Sequence, residues 1–242
     1  MTSSAPFRIE GRPATLVFVH VPKCAGTTFR HALRQWFGAG LLIFDSHDEQ
    51  ALSAQVRDRD PPVSAIAGHF TFGVQRAVPG PHVLVSLVRD PVDRLVSFYR
   101  HVRDAADHPL HGAASTTLDR FYDFTRSDPR GRRQTEAIQC YFLSGTRTFE
   151  EARAVIGAHY AVVAPIEAYA TFVERCALIL DRPAVETAPR NISPPDPELD
   201  DAKAALASRI RHDHVEDVRL YDYVKARFAG LLAEASPVRR QA

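Results

Sequence analysis

The sequence predicts an α/β protein in which a central parallel sheet is flanked by helices, giving three layers. Three apolar, β-branched runs, Thr15–Val21, Val63–Ala67 and Val83–Val88, indicate strands buried on both faces, and Tyr160–Ala164 is expected to be a fourth. Segments with helical apolar spacing separate these runs, and such alternation is typical of a parallel sheet built from βαβ units. From about Ile166 onward, the C-terminal third is predicted to be mostly helical.

Two helices are predicted from stripes of apolar residues, and four helix starts are predicted from capping signals. The stripes are Phe29, Leu33, Trp36 and Phe37 in one helix, and Leu95, Phe98, Tyr99 and Val102 in another. The capping signals are the boxes Ser46/Glu49 and Thr148/Glu151 and the pairs Asp90-Pro91 and Asp196-Pro197. Pro61-Pro62 should end the helix that begins at Ser46. Trp36 is expected in the core rather than stacked on a ligand.

Length and composition indicate one well-packed domain. The 242 residues are 45% hydrophobic, which excludes a disordered chain. We expect a single domain over residues 1–242, with flexible ends at 1–13 and 236–242. A net charge of +1 argues against a general nucleic-acid or membrane-surface binder, since both need a large basic surplus. Among the 30 basic residues, only Lys23, Lys203 and Lys225 are lysines.

Cysteine usage and the N-terminus predict a cytoplasmic protein without membrane insertion. Cys24, Cys140 and Cys176 are too few and too scattered for a disulfide framework or a zinc site. The first 13 residues lack the layout of a signal peptide. No apolar run approaches the roughly 18 residues needed to span a bilayer.

The first chemically informative segment is the junction between the first strand and its helix. Small residues there let backbone N–H groups approach an anion, and the helix N-terminus favours negative charge. Two threonines add hydroxyl donors, a lysine adds a positive charge, and the cysteine is expected to contribute its backbone N–H. The residues of this predicted phosphate cradle are Lys23, Cys24, Ala25, Gly26, Thr27 and Thr28.

This junction differs from a Walker loop. A Walker loop has its lysine after the second glycine, whereas Lys23 precedes Gly26. A nucleoside-triphosphate kinase is therefore a weaker interpretation.

The second informative junction follows Val83–Val88. Arg89 ends this strand, and Ser97 lies two turns into the next helix. A guanidinium binds phosphate in bidentate fashion, and a serine hydroxyl can complete the contact. Ligands bind beyond the carboxyl ends of parallel strands, so both junctions belong to one edge of the sheet. Two anion sites suit a ligand with phosphate at both ends.

At this point the residues resemble a known family. Pro22-Lys23-x-x-Gly26-Thr27-Thr28 resembles the 5′-phosphosulfate loop of sulfotransferases that use 3′-phosphoadenosine 5′-phosphosulfate (PAPS). Arg89-Asp90-Pro91, with Ser97, resembles their 3′-phosphate-binding element. The similarity is greatest to the branch with the heparan and uronyl 2-O-sulfotransferases and bacterial relatives. Weaker similarity follows at Gln139–Gly145 and around Asp217–Tyr221.

The resemblance implies a P-loop-like sulfotransferase fold and sulfuryl transfer from PAPS to a hydroxyl acceptor such as a carbohydrate. It implies His69, in Ala67-Gly68-His69, as the general base, and Lys23 as the cation that stabilises charge on the departing phosphate oxygen. No metal is required. Some relatives carry His-Gly-His here, so Ala67 leaves this chain without a helper histidine at that position.

Two other functions stay open. Cys24 and Arg30 have the spacing of a tyrosine-phosphatase loop, in which a thiolate attacks phosphate. A regulator that binds the nucleotide without transferring sulfate is the other alternative.

Two further segments carry structural expectations. Arg103–Thr116 has little periodicity and is expected to be a mobile surface loop, as a plain connection or as a lid. Its neighbourhood contains His101, His108 and His111, which we interpret as solvated residues rather than metal ligands. Arg190–Ser193 is a candidate for closing over the nucleotide.

Overall fold

The computed structural model describes residues 8–9, 12–185 and 196–235, and its core is a five-stranded parallel sheet. The strands are β1 (Arg8–Ile9), β2 (Arg12–Pro13), β3 (Thr15–Val19), β4 (Leu41–Ile43), β5 (Ala65–Gly68), β6 (His82–Val88) and β7 (Tyr160–Pro165). The sheet order is β4-β5-β3-β6-β7, and β1 pairs with β2 in a separate antiparallel pair. The predicted α/β architecture is confirmed.

Helices cover the sheet and form most of the C-terminal part. They are α1 (Gly26–Phe37), α2 (Glu49–Arg57), α3 (Pro91–Asp104), α4 (His111–Ala114), α5 (Leu118–Ser127), α6 (Pro129–Thr135), α7 (Ile138–Ser144), α8 (Phe149–His159), α9 (Tyr169–Leu180), α10 (Pro197–Asp213) and α11 (Val215–Ala235). Short 3-10 turns lie at Gly38–Gly40, Val74–Ala77 and Ile166–Ala168. In the described part of the chain, no helix is long and apolar enough to cross a membrane.

The central position of β3 determines which loops are neighbours at the carboxyl edge of the sheet. It lies between β5 and β6, and Val17 is in register with Ile66 on one side and Leu84 on the other. Because all three strands run parallel, their carboxyl ends meet at one edge. The loops after β3, β5 and β6 are therefore neighbours, which brings the two predicted junctions and His69 together.

The four predicted strands are present with slightly different bounds. Thr15–Val21 shortens to β3, and Val63–Ala67 shifts to β5. The fifth strand, β4, was missed because three residues carry too little periodicity to predict one. Within the N-terminal end that was expected to be flexible, Arg8–Ile9 pairs with Arg12–Pro13. The remaining predicted ends and Arg190–Ser193 lie outside the described residues.

The proline-linked helix starts are confirmed, and one capping box is wrong. The Asp90 carboxylate accepts from the Val92 N–H at 2.9 Å, and the Asp196 carboxylate accepts from the Leu199 N–H at 3.2 Å. The helix predicted from Ser46 begins instead at Glu49, because Asp48 is the residue that caps it. Its carboxylate accepts from two backbone N–H groups, and an ionised acceptor makes the stronger cap.

The second capping box begins its helix at the predicted place but with a different contact. Thr148 precedes α8 as its N-cap, yet its side chain bonds no backbone N–H. Its hydroxyl instead donates to the Glu151 carboxylate at 3.0 Å.

Both predicted apolar stripes pack into the interior. Trp36 is 4% exposed, its ring lies edge-on to Phe29, and its indole N–H donates to the Pro183 carbonyl at 2.9 Å. The core interpretation of Trp36 is therefore confirmed. Of the second stripe, Phe98, Tyr99 and Val102 are buried in a smaller cluster with Phe121.

The mobile-loop expectation for Arg103–Thr116 is wrong. Leu110 and Ala114 are buried in the same smaller cluster, and α4 forms within the segment. The Tyr99 hydroxyl donates to the Thr116 carbonyl at 2.6 Å, which holds the end of the segment against α3. The sequence predicted a loop here because the apolar residues of the segment are spaced too irregularly to show periodicity.

Candidate active site

A cavity of about 650 Å³ opens at the carboxyl edge of the sheet, within the range of about 300–1,000 Å³ typical of small-molecule sites. It lies where the β3–α1 loop and the ends of β5 and β6 meet α3. Residues from both junctions line it together with the predicted base: Lys23, Ala25, Gly26, Thr27, Thr28, His69, Arg89 and Ser97. Cys24 is the one predicted site residue that does not line the cavity.

The start of α1 lines the cavity with features that suit an anion. Lys23 and Ala25 adopt left-handed backbone conformations, with φ of 69° and 56°. This turn makes Ala25 the N-cap, without a side-chain cap, and the first turn of α1 contains no acidic residue. The first N–H groups of a helix lack intrahelical partners and carry partial positive charge. Thr27 and Thr28 add hydroxyl groups beside them.

Two cations flank this helix end. The guanidinium of Arg89 donates to the Lys23 carbonyl at 3.4 Å, which ties the second junction to the first. Burial, and then the nearby Arg89 charge, lower the pKa of Lys23. A lysine that is partly desolvated beside a second cation gains most from an anionic ligand, since the ligand relieves the repulsion between them.

The backbone of Arg89 is held by the buried side-chain amide of Gln139. The Gln139 side chain accepts from the Arg89 N–H at 2.9 Å and donates to the Arg89 carbonyl at 2.9 Å. The Asp217 carboxylate in turn accepts from the N–H groups of Gln139 and Cys140, both at 3.1 Å. Gln139 and Asp217 lie in the two segments of weaker resemblance, Gln139–Gly145 and Asp217–Tyr221, and this supporting role was not predicted from the sequence.

Cys24 and Arg30 do not form a phosphatase site. Cys24 is fully buried, and its thiol lies 3.6 Å from the Gln139 amide oxygen. Burial raises the pKa of Cys24 to about 12, so the thiolate is not available near neutral pH. Arg30 pairs with Asp45 at 2.6 Å. The geometry therefore argues against the phosphatase alternative.

His69 is fixed by its backbone and by its ring. Its N–H donates to the Asp45 carboxylate at 2.8 Å, and its ring Nδ1 lies 2.9 Å from the His20 carbonyl. A carbonyl only accepts, so Nδ1 carries the hydrogen and the Nε2 lone pair is left free. Burial lowers the pKa of His69, while the Asp45 charge opposes that shift. The ring is therefore neutral at physiological pH.

Sequence reasoning missed a second imidazole beside His69. The ring of His20 stacks on the ring of His69 with centroids 4.0 Å apart and planes inclined by 28°. The ring of Phe18 also stacks on the ring of His20, with centroids 5.5 Å apart. Burial lowers the pKa of His20 to about 2, so this ring stays neutral. The only sequence signal was that His20 lies near the end of the first strand run, Thr15–Val21.

His47 and Phe142 also line the cavity and were not predicted. The Phe142 ring lies edge-on to His69, with centroids 6.3 Å apart, and His47 lies 6.2 Å from Phe142. These two residues come from the loop after β4 and from α7, which are distant in sequence from the junction motifs.

His101 and His108 both line the cavity, a position that sequence reasoning did not predict. Their ring centroids are 5.8 Å apart. His111 turns away, and its Nδ1 lies 3.1 Å from the Val102 carbonyl. Across the ranges that the structure describes, no group of His, Cys, Asp and Glu side chains has the arrangement of a metal site.

Comparisons with known proteins give a family. Two solved structures align over most of the chain. One is a sulfotransferase from Alicyclobacillus acidocaldarius, at 14% identity and a TM-score of 0.47, covering 87% of this chain and 95% of that one. The other is mouse sulfotransferase SULT7A1 in complex with PAP, at 13% identity and a TM-score of 0.46, covering 84% of this chain and 70% of that one. No curated protein matches significantly. The sequence profile of the sulfotransferase family matches residues 6–160, more than half of the 242 residues, and the chain therefore belongs to the sulfotransferase family.

Proposed function

We propose that this protein transfers a sulfuryl group from PAPS to a hydroxyl acceptor, such as a carbohydrate, and releases 3′-phosphoadenosine 5′-phosphate (PAP). One observation carries the proposal: Lys23, Arg89 and His69 line a single cavity at the carboxyl edge of the sheet. Two cations from two different strand–helix junctions suit a nucleotide with phosphate at both ends. A neutral imidazole in the same cavity suits deprotonation of an alcohol.

The residues present fit the donor. The α1 N-terminus, with Thr27 and Thr28, would hold the 5′-phosphosulfate together with Lys23. Arg89 and Ser97 would hold the 3′-phosphate. The buried Arg89 Nε has no hydrogen-bond partner within residues 8–9, 12–185 and 196–235. A donor left without a partner in a partly buried site is satisfied when an anion binds.

His69 is proposed as the general base. Its Nδ1–H donates a hydrogen bond to the His20 carbonyl, so Nε2 is the atom that takes the proton from the acceptor hydroxyl. The Asp45 carboxylate, which raises the pKa of His69 against the effect of burial, stabilises the imidazolium that results. Removing a positioned base costs about 10²–10⁴-fold in rate.

Lys23 is proposed to stabilise the charge that develops during transfer. When bound, PAPS supplies the sulfuryl group, and the electron pair of the broken S–O bond stays on its 5′-phosphate. Lys23 presents a compact ammonium beside the helix N-terminus that receives this phosphate. Its charge is partly desolvated, which strengthens its interaction with a negative oxygen.

The acceptor is proposed to lie against His69 and Phe142. The Phe142 ring lies edge-on to His69, so one face of a ring-shaped acceptor can pack on it while a hydroxyl reaches Nε2. Aromatic side chains suit the apolar face of a sugar ring. This arrangement supports a carbohydrate acceptor.

Calorimetry with PAP tests the donor site. We expect binding by the wild type and a loss of affinity of at least tenfold in Lys23→Ala and in Arg89→Ala. Lys225→Ala and Arg57→Ala, on exposed positions of α11 and α2, serve as matched charge controls and should bind like the wild type. Tight binding that is unchanged in the Lys23 and Arg89 variants contradicts the assignment of the site.

A transfer assay tests the reaction itself. Wild-type protein with sulfur-labelled PAPS should label hydroxyl acceptors from a panel of sugars and phenols, and His69→Ala should not. If the wild type binds PAP but labels no acceptor, the non-catalytic nucleotide-binding alternative is favoured.

A further inference from the structure

The imidazole of His20 occupies a position that links the donor cradle to the proposed base. His20 is 5% exposed, and its ring stacks on the rings of both Phe18 and His69. Its backbone N–H donates to the Gly68 carbonyl at 2.9 Å, and its carbonyl accepts from His69 Nδ1 at 2.9 Å. His20 therefore contacts the end of β5 through its ring, its N–H and its carbonyl.

The other edge of this ring lies against the first residue of α1. A Cβ built on Gly26 falls 1.8 Å from Nε2 of His20, far closer than two atoms can approach. The φ of Gly26 is not in the left-handed region, so an alanine is excluded here by the ring of His20 and not by the backbone. The absence of a side chain at Gly26 makes room for His20.

A buried histidine is a costly choice for a purely structural position. The Nδ1 atom of His20 is buried and has no hydrogen-bond partner in the described part of the chain. An apolar ring avoids the cost of burying that polar atom, so packing alone does not account for an imidazole. The orphaned atom lies in the stack that holds His69.

We propose that His20 is a positioning residue for His69, and that its ring also couples the start of α1 to the proposed base. This inference rests on the proposed function of His69. The ring of His20 limits the rotation of the His69 ring and so keeps Nδ1 against the His20 carbonyl, which selects the tautomer with a free Nε2. His20 thus places a second imidazole beside the proposed base, from a different strand.

The positioning role has a readout that needs no turnover. In ¹⁵N-histidine NMR of the wild type at slightly alkaline pH, we expect His69 in the Nδ1–H tautomer. His20→Ala keeps the backbone carbonyl but removes the stacked ring, so the His69 ring should turn away from that carbonyl and give a mixture of tautomers. His212→Ala, an exposed control on α10, should leave His69 unchanged. A His69 signal that is the same in His20→Ala and the wild type overturns the proposal.

The coupling to α1 is tested by a compensating pair. Gly26→Ala should lower the melting temperature and weaken PAP binding, because its new methyl group meets the His20 ring. Adding His20→Ala removes that ring, so the double variant should regain the melting temperature and PAP affinity of His20→Ala alone. Failure of the second substitution to restore either property overturns the coupling.

Kinetics then separate positioning from donor binding. His20→Ala should lower kcat about tenfold, a part of the ~10²–10⁴-fold that a positioned base contributes, with the KM for PAPS changed less than threefold. An unchanged kcat overturns the proposal. If the wild type sulfates no acceptor, the proposed function fails, while the tautomer and the compensating pair still decide the role of His20.

Discussion

Gln139 holds the backbone of Arg89 through two hydrogen bonds, with its amide accepting from the Arg89 N–H and donating to the Arg89 carbonyl, each at 2.9 Å. A side-chain amide thus continues the ladder of β6 beyond its last strand residue. Gln139 is fully buried, and its backbone N–H donates to the Asp217 carboxylate at 3.1 Å. The orientation of Arg89 in the cavity depends on this support.

Gln139→Leu is expected to destabilise the protein and weaken PAP binding. The substitution leaves two backbone groups of Arg89 unsatisfied, which costs about 1–3 kcal/mol each. We expect a fall of about 2–4 kcal/mol in the free energy of unfolding and about tenfold weaker PAP binding by calorimetry. Gln50→Ala, on the exposed surface of α2, is the control. PAP affinity equal to that of the wild type rules out the supporting role.

The pH dependence of transfer should follow His69. Its pKa lies below the usual 6.5 because burial outweighs the Asp45 charge, while Arg30 and Lys23 add to the lowering and the His20 carbonyl opposes it. A general base acts when deprotonated, so kcat/KM should rise with pH through the lowered pKa and be level near pH 7. An acidic limb centred above 6.5 contradicts this assignment.

At high pH the lysine should limit activity. Burial and Arg89 lower the pKa of Lys23 from 10.5, so its stabilising charge is lost below that pH. We expect kcat/KM to fall on the alkaline side, with the midpoint below 10.5. The same profile measured on Lys23→Arg should lack this limb, because a guanidinium keeps its charge throughout the range.

Lys23→Arg should distinguish the effect of a positive charge on PAP binding from its effect on the rate of transfer. A guanidinium keeps the positive charge beside the cradle, so PAP affinity should stay within about threefold of the wild type. Its charge is spread over a larger planar group, and kcat should fall by about 10²-fold, as on removal of one transition-state contact. The measurements are calorimetry for affinity and single-turnover kinetics for transfer. Lys203→Arg, whose lysine pairs with Asp93 on the surface, is the matched control and should retain wild-type kcat.

Cys24→Ser distinguishes the sulfotransferase from the phosphatase. The Cys24 thiol is buried against Gln139, and a serine hydroxyl can donate to the same amide oxygen. We expect more than half of the transfer activity to remain, with a loss of stability of about 1 kcal/mol. Complete loss of activity, together with preserved folding, points to a thiolate mechanism instead.

The local parts of the fold were predictable from sequence because they depend on neighbouring residues. The apolar runs predict β3 and β6 as buried strands. The position of Asp90 before a proline predicts that it caps α3, and it does. The predictions failed where local signals were weak. β4 has three residues, and Leu110 anchors a segment without periodicity.

By itself the sequence determined the α/β class, and it predicted the two anion-binding junctions and the candidate base, since each follows from residue types at fixed short spacing. Only the tertiary structure decided which residues support them. His20 reaches His69 from 49 positions away, and Gln139 reaches Arg89 from 50 positions away. Such contacts depend on strand order and register, here β5-β3-β6, which hydrophobic periodicity does not encode. The packing of one ring against Gly26 likewise becomes visible only once α1 is placed on the sheet.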